Sequence, residues 1–218
     1  MDKTFIKNHQ YNLIKKQVDF IQQVCNTISN SEVLEAIKYD AYLKIIEKFP
    51  NATELERNIL GKILTLNSTE ECQDYIRMIQ PFLEEFTPVT KQLIKKLFSK
   101  AKNLKVPDLS MYDFRYITYL SWTDIATNQL FIVYHLNGQV IGIEGKFSLV
   151  NQKGVCFACN KLEEVALFTA IANAENHQTN YDNYKVFGNY LCINVEVCNK
   201  NITDITRLET FIKNVVGI

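Results

Sequence analysis

Two close pairs of cysteines constrain this 218-residue chain more than any other feature of its sequence. Cys156 and Cys159 are separated by two residues, and Cys192 and Cys198, further along, by five. Two pairs that flank a short subdomain supply what a tetrahedral site of four thiolates needs. We therefore predict one structural Zn²⁺ ion bound by these four cysteines, although the second spacing is longer than zinc fingers commonly use.

The sequence leaves other arrangements of these thiols open. Two disulfides, a redox dithiol and unconnected core cysteines are the alternatives to a metal site, and His177 is a possible replacement ligand.

The polar N-terminus lacks a signal-peptide core, and no apolar run approaches the roughly 20 residues of a membrane span. These features predict a cytosolic protein, in which reduced thiols favour metal over disulfide. Around the first pair, Gly154 and Asn160 suit a tight turn, with Gly154 able to adopt a positive φ.

Proline and glycine divide the chain into two parts. All four prolines lie before residue 108, whereas six of the seven glycines follow it. The hydrophobic fraction of 47% is that of a globular protein, and the length suits two domains. We therefore predict an α+β protein with an antiparallel helical bundle at 1–107 and a zinc-binding α/β domain at 108–218. In the first part basic residues exceed acidic ones by 3, and in the second part acidic residues exceed basic ones by 3. The second part is therefore a poor candidate for binding phosphates.

The first part has the periodicity of amphipathic helices. Apolar residues from Tyr11 to Ile28 recur along one helix face, and Cys25 and Cys72 are expected in helical cores. Pro81 is expected to end or kink the fourth helix, and Pro88 to lie in the first turn of the fifth. The predicted helices span 8–29, 31–48, 52–65, 69–86 and 88–103, and pairs with capping-box spacing are Ser29 with Glu32, Thr53 with Glu56, and Ser68 with Glu71.

The fifth predicted helix is basic and amphipathic. Six lysines lie between Lys91 and Lys105, over an apolar stripe that includes Ile94 and Phe98. Such helices bind acidic partners, RNA or membranes, and they also occur as solvated faces that cap a helical bundle. The sequence alone leaves both interpretations open.

After Pro107 the pattern becomes that of β-strands. Asn137-Gly138 between two β-rich segments predicts a two-residue hairpin turn. The polar stretch 173–184 is expected to be a mobile loop, and a last helix follows Cys198. A knuckle, strands and a second cysteine pair leading into a helix form the order of a treble-clef zinc finger. The predicted strands span 116–120, 130–136, 139–143, 165–170 and 189–193.

The sequence gives no indication of catalysis. The three histidines are scattered, and no phosphate-binding loop is present. A site filled by four cysteines leaves no coordination position for water, so it is structural. We therefore predict a binding protein and not an enzyme. Trp122, the single tryptophan, is either a packing residue or an exposed contact.

This sequence contains a combination of short motifs that are spread over most of the chain. They are His9–Asn12, Asn103–Pro107, Tyr119–Trp122, Asn128, Ile132–Tyr134, Gly154–Asn160, Gly188–Cys192, Cys198–Asn199, Thr203–Ile205 and Phe211–Ile212. In combination they resemble the FusB-type proteins, which bind elongation factor G and can protect against fusidic acid. The likeness is strongest from Lys100 onward, and the long spacing of the second cysteine pair is the norm in that family.

The resemblance implies a mode of action. The C-terminal domain, with its treble-clef finger and one zinc, docks on the C-terminal domains of elongation factor G, on or off the ribosome. A monomer would thereby speed the departure of the factor from ribosomes stalled by the drug, without chemistry on the antibiotic, membrane contact or sequence-specific nucleic-acid binding. Around the finger, Tyr190 and Phe211 match family positions that contact the factor, and Val155 and Phe187 stand at two further positions of that interface.

Four positions depart from the family pattern. Val155 stands where members tend to have Phe, and Phe187 stands where they tend to have Lys. Gln129-Leu130 replaces a common Arg-Lys pair. These changes remove an aromatic anchor and three positive charges near the expected interface.

Rival hypotheses remain for the function and for two of the contact residues. One rival is a zinc-ribbon-like protein that binds RNA or the ribosome without a role in resistance, and the other is a membrane or surface adhesin. The acidic second part argues against the first, and the missing signal peptide against the second. Position in the sequence alone favours a packing role in the core for both Tyr190 and Phe211. Tyr190 lies two residues before Cys192 on a predicted strand, and Phe211 lies in the apolar stripe of the last helix.

Overall fold

The computed structural model describes residues 3–25, 27–28, 30–101, 103–172 and 185–218, apart from the side chain of Asn151. Within them the chain forms two compact units, one up to Glu84 and one from Glu85 to Ile218. The predictions made for Ser29, His177 and the stretch 173–184 lie outside the described residues.

The N-terminal unit is helical. In α1 the side chains of Tyr11, Ile14, Val18 and Ile21 are buried, which confirms the predicted periodicity. This helix packs against α2 and α4, and α2 also contacts α3. None of the helices in the described ranges is long and apolar enough to cross a membrane. The four helices are α1 (Asn8–Cys25), α2 (Ser31–Ile46), α3 (Glu54–Gly61) and α4 (Thr69–Ile79).

The ends of these helices follow local side-chain chemistry. Thr53 and Glu56 form the predicted capping box, with the Glu56 N–H donating to Thr53 Oγ1 at 3.3 Å and the Thr53 N–H donating to Glu56 Oε2 at 2.8 Å. Ser68 caps α4, and Asn30 caps α2. A 3₁₀ turn that contains Pro81 follows α4 directly, which confirms that this proline ends the helix.

The C-terminal unit is built on a five-stranded antiparallel sheet in the order β1-β2-β3-β4-β5. Asn137 and Gly138, with φ of 50° and 82°, join β2 to β3 and leave Leu136 opposite Gln139. Positive φ at both positions is what this two-residue turn requires, so the predicted hairpin is confirmed. The strands are β1 (Leu120–Asp124), β2 (Gln129–Leu136), β3 (Gln139–Val155), β4 (Leu162–Ile171) and β5 (Val186–Cys192).

The first strand begins later than the sequence predicts. The segment 116–120 was expected to be a strand, but Phe114–Tyr116 forms a 3₁₀ turn and β1 starts at Leu120. The Asp113 carboxylate accepts the backbone N–H of Arg115 at 3.1 Å, and this local bond turns the chain. A pattern of aromatic and β-branched residues does not reveal such a cap.

Side chains of β2 alternate between two cores. Leu130, Ile132, Tyr134 and Leu136 pack with the cysteines and the last helix. Phe131 and Val133 pack on the opposite face, with the basic helix. Burial on both faces explains why β2 is a continuous apolar run. The helices of this unit are α5 (Lys91–Leu97), α6 (Val195–Asn201) and α7 (Thr206–Val216).

Helix α5 is the predicted basic helix, and its apolar stripe is covered by the sheet. Ile94 and Phe98 are buried, and the ring of Phe98 lies 5.1 Å from that of Phe131. A Cβ atom at Gly142 would lie 2.9 Å from Phe98 Cζ, so a glycine permits this close approach. The helix is shorter than predicted and starts after its N-cap Thr90, so the prediction that Pro88 lies in its first turn is wrong.

The observed division therefore lies before α5, whereas the composition change placed a boundary at residue 107. Proline marks where helices end, but it carries no information about which core a helix packs on. The stripe of α5 complements Phe131 and Val133, so the helix belongs with the sheet.

We expect the fragment 85–218 to fold as a cooperative unit and 108–218 to melt at a lower temperature. The shorter fragment lacks Ile94 and Phe98, and loss of a large core side chain costs about 2–5 kcal/mol. Calorimetry of the two zinc-loaded fragments measures the difference. Equal melting temperatures would show that α5 contributes nothing to this core.

Candidate metal centre

The first cysteine pair lies in the turn between β3 and β4. The Cys156 N–H donates to the Lys161 carbonyl at 2.9 Å, and the Asn160 N–H donates to the Cys156 carbonyl at 2.9 Å. Asn160 adopts the left-handed conformation at φ 56°, while Gly154, for which this was predicted, does not. Gly154 instead provides space, because a Cβ atom there would lie 2.8 Å from Val165 Cγ2.

The second pair joins a strand end to a helix. Cys192 is the last residue of β5, and Cys198 lies within α6. Between them Asn194 caps the helix, accepting the backbone N–H groups of Glu196 at 2.9 Å and Val197 at 3.2 Å. The five intervening residues therefore hold a cap and the first helical turn, which accounts for the long spacing.

The four sulfur atoms form a compact buried cluster. All of them lie within 4.8 Å of one another. Cys156 Sγ is 3.7 Å from Cys198 Sγ, and Cys159 Sγ is 3.6 Å from Cys192 Sγ. A tetrahedral Zn²⁺ ion with Zn–S bonds of about 2.3 Å places sulfur atoms about 3.8 Å apart, whereas a disulfide needs about 2.0 Å. The geometry fits zinc, and all six cysteines of the chain are free thiols.

Thiols this close change one another's ionisation. The pKa of Cys198 is raised, first by its interaction with the Cys156 sulfur 3.7 Å away and then by interactions with Cys159 and Cys192. The pKa of Cys156 is lowered by its interactions with the sulfur atoms of Cys159, Cys192 and Cys198. Like charges at this separation repel, so four simultaneous thiolates require the positive charge of a cation.

Asn199, next to the last cysteine, anchors the finger to the sheet. Its buried amide oxygen accepts the N–H groups of Thr118 at 2.7 Å and Tyr119 at 3.3 Å, and its Nδ2 donates to the Tyr119 carbonyl at 3.0 Å. A second link joins α7 to the knuckle, where Arg207 donates to Asn160 Oδ1 at 2.8 Å. The sequence motifs contained Asn199 and Asn160, but no pattern indicated these long-range partners.

Two of the four predicted contact residues are exposed. Val155, at the end of β3, is 55% exposed, and Tyr190, on β5, is 46% exposed. Tyr190 lies directly opposite Leu167 of β4. Opposed residues share one face of a sheet, so these two side chains form a cross-strand pair.

The other two face the core. Phe187 is half-buried and packs against the cluster that contains the cysteines. Phe211, on α7, is 4% exposed, with its ring 5.1 Å from Phe157 and 5.7 Å from Phe168. Its burial agrees with the packing interpretation that its position in the apolar stripe favoured.

We expect Cys192→Ser to abolish stoichiometric zinc binding and to unfold the C-terminal unit, while the helical unit keeps its transition. Structural zinc in finger peptides contributes roughly 10–16 kcal/mol of apparent binding free energy, which the substitution removes in large part. Metal analysis and calorimetry of the full chain measure both effects, with Cys72→Ser in the helical core as the control. One zinc retained by Cys192→Ser, or an unchanged melt, would refute the assignment.

Two family models match the chain over nearly its whole length. The model described as elongation factor G-binding protein, N-terminal, matches residues 5–87. The model described as FBP C-terminal treble-clef zinc-finger matches residues 89–213, more than half of the chain and all four clustered cysteines. The prediction of a treble-clef finger with one structural zinc is therefore confirmed.

A solved structure shares this fold. It is described as the structure of the fusidic acid resistance protein FusC, with a TM-score of 0.76, 24% sequence identity and 97% of each chain covered. No match was found among the curated proteins. The sequence resemblance and the two family models agree, and the chain belongs to the family of elongation factor G-binding proteins with a C-terminal treble-clef zinc finger.

Proposed function

We propose that the chain binds elongation factor G and promotes its release from ribosomes stalled by fusidic acid, without chemistry on the drug. Membership of the family supports binding of the factor, and the fold shared with FusC supports a role in resistance. The C-terminal unit of a monomer docks on the C-terminal domains of the factor, on or off the ribosome, in the cytosol. The closed zinc centre serves as scaffold.

The observation that carries this proposal is an exposed apolar surface on β4 and β5, here called the outer face. Tyr190 lies opposite Leu167, and Ile171 lies opposite Val186. These four side chains are between 36% and 59% exposed. Thr169 and Gly188 lie opposite each other between the two pairs. A group of apolar side chains that remains open to water is typical of a protein interface.

Tyr190 is held in place as an anchor for such an interface. Its carbonyl accepts the N–H of Phe157 at 2.8 Å, and two residues later Cys192 fixes the strand to the zinc centre. An exposed aromatic side chain on a fixed backbone loses little conformational freedom on binding. Aromatic residues of this kind are frequent among interface hot spots.

The remaining predicted contacts lie outside the outer face, and two of them, Phe187 and Phe211, face the core. Val155 presents an exposed apolar side chain next to the first zinc ligand. Lys185 Nζ lies 4.8 Å from the ring centre of Phe187, which places a positive charge beside that residue. Phe211 supports the surface from the core through Phe157 and Phe168. In this arrangement Val155 and Tyr190 touch the factor, Phe187 borders the contact, and Phe211 shapes it.

We expect Tyr190→Ala to weaken binding of elongation factor G by about 1–2 kcal/mol, roughly five- to thirtyfold, without a change in melting temperature. Phe211→Ala is expected to destabilise the unit by about 3–5 kcal/mol, because it removes a buried ring. Calorimetric titration and thermal melts of the same variants measure both. Tyr39→Ala, an exposed tyrosine of α2, is the matched control and is expected to bind like wild type. Wild-type affinity of a stable Tyr190→Ala variant would remove Tyr190 from the interface.

We expect the full chain and the fragment 85–218 to speed dissociation of labelled elongation factor G from ribosomes held by fusidic acid, and the fragment 1–84 to leave the rate unchanged. The alternative, an RNA- or ribosome-binding protein, predicts affinity for ribosomes without the factor and a steep dependence on salt. The dissociation rate and a salt titration separate the two. Unchanged dissociation with tight, salt-sensitive ribosome binding would favour the alternative.

A further inference from the structure

The hydroxyl group of Tyr119 is the starting point, because it is buried without a partner. The residue directly precedes β1 and has no exposed surface. Its hydroxyl has no partner at ordinary hydrogen-bond distance among the residues that the structure describes. An unpaired buried hydroxyl lowers stability, whereas phenylalanine would fill the same space without that cost. The hydroxyl therefore calls for a polar partner in the metal-bound protein.

The thiol cluster is the polar group beside this hydroxyl. Asn199 binds the Tyr119 backbone through bonds of 3.3 Å and 3.0 Å, and Asn199 directly follows Cys198. The side chain of Tyr119 belongs to the same buried core as the four cysteines. Burial first, then the charge of Cys198 and the interaction of the hydroxyl with its sulfur, raise the pKa of Tyr119 well above its ordinary value, with smaller effects from Cys156 and Cys192. Cys198 is therefore the thiol that interacts most strongly with this hydroxyl.

Charge makes the sulfur atoms strong acceptors once zinc is bound. Four thiolates around one Zn²⁺ carry a net charge of −2, which is buried here and is stabilised by hydrogen-bond donors. The backbone already supplies one donor, because the Cys192 N–H points to Cys156 Sγ at 3.4 Å. A phenol is a stronger donor than an amide, and a tyrosine hydroxyl is protonated at neutral pH.

We propose that Tyr119 is a positioning residue of the zinc centre, and that its hydroxyl donates a hydrogen bond to Cys198 Sγ when that sulfur is a zinc-bound thiolate. The bond orients Cys198, reduces the charge on its sulfur and slows loss of the metal. It also gives the buried hydroxyl its partner. The inference depends on the zinc centre and is independent of binding to elongation factor G.

The test compares Tyr119→Phe with Tyr134→Phe in the full chain. Tyr134 is the matched control, since it is also buried in this core but donates its hydroxyl to Glu209 at 2.9 Å. Competition with a zinc chelator is expected to show a dissociation constant raised about tenfold or more in Tyr119→Phe, the effect typical of losing such a partner. Tyr134→Phe is expected to keep the zinc affinity of wild type.

The absorption spectrum of the Co²⁺-substituted protein provides a second measurement, which would not change if Tyr119 had only a packing role. Loss of a donor raises the energy of the sulfur lone pairs, so the sulfur-to-cobalt charge-transfer band is expected at lower energy in Tyr119→Phe and unshifted in Tyr134→Phe. Wild-type zinc affinity with an unshifted band in Tyr119→Phe would overturn the proposal. Equal loss of zinc affinity in both variants would also overturn it, because it would indicate general loosening of the core.

Discussion

The convergence of four thiolates on one cation is the interaction on which the C-terminal unit depends. The first pair closes the turn from β3 to β4, Cys192 ends β5, and Cys198 fixes α6. Because buried thiolates repel one another, a metal ion that supplies positive charge holds these elements together. The position of α6 then affects both edges of the sheet. It contacts β1 and β5, the two edge strands, and its Asn199 binds the start of β1.

The two faces of the sheet are covered unequally by the rest of the C-terminal unit. One face packs along its length on the cysteines and α7. The opposite face is covered by α5 over β1 to β3, but it is open at β4 and β5, where Leu167, Ile171 and Tyr190 are exposed. The zinc ligands terminate the same strands that form this open surface. The zinc centre and this exposed apolar surface are therefore linked through one strand, β5.

Local chemistry could be predicted from the sequence, and long-range packing could not. The zinc centre and the Asn137-Gly138 hairpin each depend on a few residues in short turns, so their signatures are contained in short segments. The boundary at residue 107 differed from the observed division because nothing in a basic amphipathic helix shows which surface covers its stripe. Alternation along β5 shows that Tyr190 and its neighbours face opposite sides, but not which side other elements leave open. Tyr119 and Asn199 had no local signal, since their partners lie elsewhere in the chain.

Hydrogen exchange of the full chain with and without zinc tests most directly whether the ion organises this unit. If it does, chelation will remove amide protection in β4, β5, α6 and α7, including the N–H of Phe157 that binds the Tyr190 carbonyl. Protection in α1 to α4 will stay as it was, because the helical unit has its own core. Unchanged protection around Cys192 and Cys198 after complete removal of zinc would contradict the account.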